Sequence, residues 1–226
     1  KNFQQLLTYS TINNMEIFDW FLDQNNIVNV WTINYVAKNG DLERLKWLRL
    51  QGCSLKLSQV IPWDKFVVDN GNIDIIKYLC ENGSLKLCEE FPCNEFTCRC
   101  ATENGHYDVV KYLHENGCPW DSFAFASAVE NGNLTIVKYL HENGCPWDSL
   151  VFDSAVENGD LTIVKYLHEN GCPWDSWSFN TAVENGHLPI VKYLHENGCP
   201  WNEETSEHAS LCGEFEILKY LHEKGC

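Results

Sequence analysis

Four thiols lie within a short stretch: Cys88, Cys93, Cys98 and Cys100. Thiolates are good zinc ligands, and four of them would close a tetrahedral site. The spacing C-x4-C-x4-C-x-C is not a common zinc pattern, and its last pair is tight. A second metal-type pattern is His114-x-x-x-Cys118, which recurs as His141/Cys145, His168/Cys172, His195/Cys199 and His222/Cys226. Glycine interrupts each pair and breaks the helix between its members, and no unit offers four ligands. A histidine near a helix C-terminus is explained by the helix dipole. No metal or cofactor is therefore expected, and the 88–100 thiols keep only a metal- or redox-responsive alternative open. The recurring Ser and Asp, as in Asp121-Ser122, fit helix caps, and no nucleophile, base and orienting group stand together. The glycines lack the Lys-Ser/Thr of a phosphate loop. Catalysis is not expected.

Other recurring residues point to binding. Glu103, Glu130, Glu157 and Glu184 recur, each followed by Asn104, Asn131, Asn158 or Asn185. A row of carboxylates recruits a basic segment by charge complementarity; its plainer role is a solvated surface. Glu115, Glu142, Glu169 and Glu196 form a second row. Trp120, Trp147, Trp174 and Trp201 sit after a Cys-Pro pair. They read as partner anchors or as wedges between successive turns. Positions 123, 150 and 177 wander through Phe, Leu and Trp, and 126, 153 and 180 through Ala, Asp and Asn. Slots that wander are exposed or carry recognition; slots that repeat are packing slots.

All of this rides on a repeat. The string KYLHENGCPW stands whole at 111–120, 138–147, 165–174 and 192–201, evenly spaced along the chain. One glycine set is Gly40, Gly71, Gly105, Gly132, Gly159, Gly186 and Gly213. A second set, Gly52, Gly83, Gly117, Gly144, Gly171, Gly198 and Gly225, follows it at a constant offset. Asn13 and Asn25 extend the register one step back, which makes eight units. In each unit Pro-Trp turns the chain, Asp or Ser caps a first helix, glycine ends it, and a second helix carries apolar residues at spacings of three and four. Helices of about ten residues cannot hold themselves in water. Stacked on copies of themselves they can, and the result is an all-α solenoid.

The stretch Ala101-Thr102-Glu103-Asn104-Gly105-His106-Tyr107-Asp108-Val109-Val110-Lys111-Tyr112-Leu113 resembles the core of the ankyrin repeat, A-x-x-G-H-x-E-V-V-x-L-L. The resemblance covers nearly the whole chain and is weakest before residue 31. It implies an ankyrin-type stack of about eight helix pairs, one array over 1–226. Within it, 1–30 would be a cap and degenerate repeat, 31–104 longer irregular repeats, 105–213 regular repeats and 214–226 a final helix. The usual family repeat is longer than the one here, so most β-hairpin fingers are expected to shrink to Cys-Pro-Trp-Asp turns. Segments 54–57 and 84–87 alternate like strands and are expected to keep a finger. The resemblance also places the Glu-Asn pairs on the family's concave face. Short H-E-N-G-C-P-W repeats look like those of amoeba-infecting giant viruses and some protists.

Cys53, Cys118, Cys145, Cys172, Cys199 and Cys226 form a ladder. Packed helices sit about 8–10 Å apart, and disulfides need Cα atoms within about 7 Å. The ladder is therefore expected to be free, buried thiols in a reducing compartment, the cytoplasm, or host cytoplasm if viral. With 32 acidic against 16 basic residues the formal charge is −16, which argues against nucleic acid or an anionic membrane as partner. Beginning at Lys1 and ending inside a repeat, the chain is expected to be part of a longer protein. The function implied is non-enzymatic: a protein–protein scaffold or adaptor binding a basic or polar segment. The alternatives are a self-associating virion or assembly component and, by viral analogy, a substrate adaptor for a ubiquitin ligase.

Overall fold

The computed structural model describes residues 36–50, 67–81 and 94–225. The expected cap over 1–30, the strand-like 54–57 and 84–87, and Cys53, Cys88, Cys93 and Cys226 lie outside them. The chain divides into two compact units, 1–93 and 94–226.

In the first unit, helical residues 36–38 lead through a Gly40 turn into α1 (Leu42–Leu50), and 67–69 lead through Gly71 into α2 (Ile73–Glu81). Each second helix buries residues spaced at three: Leu45 and Leu48 in α1, Ile76 and Leu79 in α2. Asp41 opens α1 by accepting the Arg44 N–H at 3.0 Å. Asn72 Nδ2 donates to Lys38 O at 3.5 Å.

The second unit stacks five helix pairs: α3 (Glu95–Glu103) with α4 (Tyr107–Glu115), α5 (Ser122–Glu130) with α6 (Leu134–Glu142), α7 (Ser149–Glu157) with α8 (Leu161–Glu169), α9 (Ser176–Glu184) with α10 (Leu188–Glu196), and α11 (Glu203–Leu211) with α12 (Phe215–Lys224). First helices pack side by side in the order α3, α5, α7, α9, α11, and second helices do likewise. The result is an all-α stack, with no strand among the described residues.

Local chemistry explains the lengths. Asn94, Asp121, Asp148, Asp175 and Asn202 cap the first helices, each accepting a backbone N–H from the first turn. Ser122, the other cap suggested by the sequence, is instead the first helical residue. The turn between paired helices needs a left-handed residue. Gly159 has φ +76°, and a Cβ there would meet the His187 ring at 2.7 Å, so glycine answers both demands. The core is layered. Phe125, Phe152 and Phe179 are fully buried on first helices, opposite Ile136/Leu140, Ile163/Leu167 and Ile190/Leu194 on second helices. Burying each such side chain is worth about 1.5–3 kcal/mol. The last first helix, α11, has Ser206 in the Phe slot, and its buried residues are Thr205 and Ala209.

Candidate functional site

The carboxylate row is a surface feature. Glu103, Glu130, Glu157 and Glu184 are the exposed last residues of α3, α5, α7 and α9. Their surroundings differ. Arg99 Nε lies 2.8 Å from Glu103, and His208 Nδ1 lies 2.6 Å from Glu184. Glu130 and Glu157 flank an open depression completed by Ser154 and Asn158, and among the described residues neither is ion-paired.

The neighbouring asparagines hold backbone. Asn104 and Asn185 Nδ2 reach back to the carbonyls of Cys100 and Thr181, at 2.9 and 3.0 Å. Asn131 and Asn158 cross to the preceding repeat instead, donating to Glu103 O at 2.9 Å and Val129 O at 3.4 Å. Their side-chain amides are thus committed to backbone carbonyls, leaving less of their polarity for a ligand.

The tryptophans are half-buried. Trp120, Trp147 and Trp174 lie nearly parallel on His114, His141 and His168, with centroids 3.8, 4.3 and 3.9 Å apart. Trp201 meets His195 edge-on at 5.0 Å. Trp147, Trp174 and Trp201 also contact Phe125, Phe152 and Phe179. The ring that could anchor a partner is thus engaged by its own stack.

Each histidine is tied forward as well. His114, His141, His168 and His195 Nδ1 sit 2.7–3.0 Å from the hydroxyls of Tyr139, Tyr166, Tyr193 and Tyr220 in the next repeat. Burial, then a nearby glutamate, raises these tyrosines above their usual range, so the hydroxyls stay protonated. Sequence reading missed this contact. Its signal was a constant offset from each histidine to the tyrosine of the next copy, repeated four times. The His-Cys pairs do not converge on a metal. The imidazole reaches forward, while Cys145, Cys172 and Cys199 Sγ reach back to the carbonyls of Asp121, Asp148 and Asp175 at 3.2–3.5 Å.

The thiols bring one correction. Cys98, Cys100, Cys145, Cys172 and Cys199 are free and buried. Desolvation, with nearby carboxylates, pushes Cys98, Cys145, Cys172 and Cys199 up to about 12, which keeps them inert as nucleophiles. Cys118, expected to be a free thiol like the rest of its ladder, is disulfide-bonded. The spacing argument compared only equivalent residues of adjacent repeats, and pairings of any other kind escape it. Among the described residues no three metal-type donors gather.

Midway along α7, Asp153 is partly buried and accepts the Ser178 hydroxyl at 2.5 Å. Desolvation raises its pKa, with Asp175 and Asp148 adding to the effect and Ser178 opposing it. A carboxyl raised on folding stabilises least once it is ionised. Its cost is fully present at pH 7, fades as pH falls through the raised folded pKa and is gone below the unfolded value, about 3.9. One repeat on, Asn180 Oδ1 plays the same role for Thr205 at 2.9 Å. Asp153→Asn keeps the acceptor and removes the charge. It is expected to raise stability at pH 7 by about half a kcal/mol, a small gain because solvent screens the group, and to change little near pH 3.5. Denaturant midpoints at the two pH values check this; an equal gain at both would discard the charge explanation.

These paired helices, their glycine turns and their side-by-side stacking coincide with a family match. A model of ankyrin repeats fits the chain three times, over residues 66–150, 98–176 and 152–226. The chain is an ankyrin-repeat protein. Ankyrin repeats generally mediate protein–protein interactions and are usually non-catalytic. The crystal structure of the human ASB11 ankyrin repeat domain matches with a TM-score of 0.61 at 19% identity, covering 74% of this chain and 84% of that one. That likeness is one of fold. No curated protein matches the chain. Among the described residues no helix is long and apolar enough to cross a membrane.

Proposed function

We propose that this ankyrin-repeat chain is a non-enzymatic interaction scaffold that holds a basic or polar segment of a protein partner against its helix-one carboxylates. The supporting observation is local. Arg99 and His208 engage the outer glutamates, while Glu130 and Glu157 stand exposed across a depression. A Lys or Arg entering there gains attraction from both carboxylates without displacing an internal partner. We read 1–226 as one continuous array, because the glycine register runs through both units.

A labelled, unstructured Lys/Arg-rich peptide tests the reading by fluorescence anisotropy. Glu130→Lys/Glu157→Lys is expected to weaken binding about tenfold at about 50 mM salt, with the difference shrinking near 0.5 M. Unchanged affinity at low salt would reject the acidic-row reading. Reversible self-association of the unaltered protein, without peptide binding, would favour an assembly component.

A further inference from the structure

We propose that the helix-one face of α3, α5, α7 and α9 docks an amphipathic, Lys/Arg-bearing helix of a protein partner. The inference rests on the acidic-row reading and adds an apolar half to it. Phe96, Phe123, Leu150 and Trp177 are 46%, 61%, 68% and 62% exposed. Each is the second residue of its helix, and the four helices pack side by side, so the side chains form one stripe. The next equivalent position is Glu204, exposed and charged, which ends the stripe.

The stripe and the carboxylates share a face. Phe123 and Glu130 are seven residues apart on α5, as are Leu150 and Glu157 on α7. Seven residues are almost two turns, a rise of about 10 Å with little rotation. A helix about 10–12 Å across, laid over α3 to α9, meets the apolar stripe on one edge and the carboxylates on the other. Neighbouring helices sit about 8–10 Å apart, so the stripe spans about 24–30 Å, the length of about 16–20 helical residues. Apolar residues recurring about every seventh position in the ligand would meet successive stripe residues. An extended strand covers one repeat step in about three residues and turns alternate anchors away.

Charge selects the occupant. Arg99 lies against Phe123 and Glu103, and His208 Nδ1 against Glu184, whereas the exposed Glu130 and Glu157 in the middle of the face have no ion-pair partner among the described residues. Two copies pairing through the stripe would bring together two chains of formal charge −16. Like charges across an interface are unfavourable. A basic partner meets no such repulsion.

The test uses two labelled peptides of about 21 residues with identical Leu/Lys composition, one patterned as an amphipathic helix and one scrambled. The patterned peptide is expected to bind at least about tenfold more tightly. Phe123→Ser/Leu150→Ser should erase that preference, with unchanged circular dichroism because both sites are exposed. Trp177→Ser, at a separate repeat, should reduce it in the same direction. Equal binding of both peptides, lost only in Glu130→Lys/Glu157→Lys, would overturn this inference and leave the acidic-row reading standing. Binding indifferent to every variant would overturn both. Self-association removed by Phe123→Ser/Leu150→Ser, with no peptide preference, would assign the stripe to a second copy and also overturn the proposal.

Discussion

Phe152→Ala is expected to cost about 3–5 kcal/mol, in line with truncating a buried aromatic. Phe152 is fully buried on α7 and meets the edge of Trp174 at a centroid distance of 5.5 Å. A stack offers no second core to absorb the loss, since each repeat leans only on its neighbours. Total stabilities of about 5–15 kcal/mol make this a large fraction. Two residues earlier, Leu150 is 68% exposed. Leu150→Ala is expected to change stability by no more than about 0.5 kcal/mol. Urea unfolding followed by circular dichroism separates the two. Similar costs at both positions would mean the face of α7 has been misassigned.

Trp174→Ala is expected to lower stability by about 2 kcal/mol, inside the common range for a single substitution. Its ring stacks on His168 at 3.9 Å and 15°, and meets Phe152 at 85°. Aromatic pairs contribute about 0.5–1.5 kcal/mol beyond the area they bury, and the half-buried indole adds its area. Affinity for the patterned cationic peptide should not change in the folded variant. The pair of readouts distinguishes a wedge from an anchor. Lost affinity with unaltered stability would restore Trp120, Trp147, Trp174 and Trp201 as contact residues.

The periodic features were legible because packing imposes them. Phe125, Phe152 and Phe179 recur because each fills the same space between the same neighbours, and the glycines recur because each turn needs a left-handed residue. Asp121 and its equivalents were legible as caps for a local reason, being one turn from the N–H groups they accept. The candidate site was legible in part. Positions 123, 150 and 177 stood out by wandering, whereas Phe96, in the longer step, did not. The Glu row was visible, but its inequality was not. Arg99 reaches Glu103 along one helix, while His208 reaches Glu184 from the next repeat.

Sequence alone therefore determined the unit, two short capped helices joined by a glycine turn, and the necessity of stacking it. These follow from hydrogen bonds and apolar periodicity within a single repeat. Tertiary structure decided how each exposed group is used. It turned the tryptophans onto histidines, tied those histidines to the next repeat's tyrosines, and set Asn131 and Asn158 to bridging. It also removed Cys118 from the free thiols and left Glu130 and Glu157 open. Those outcomes depend on distances between side chains of different repeats. A residue type at a repeated position does not specify such a distance until the helices are packed.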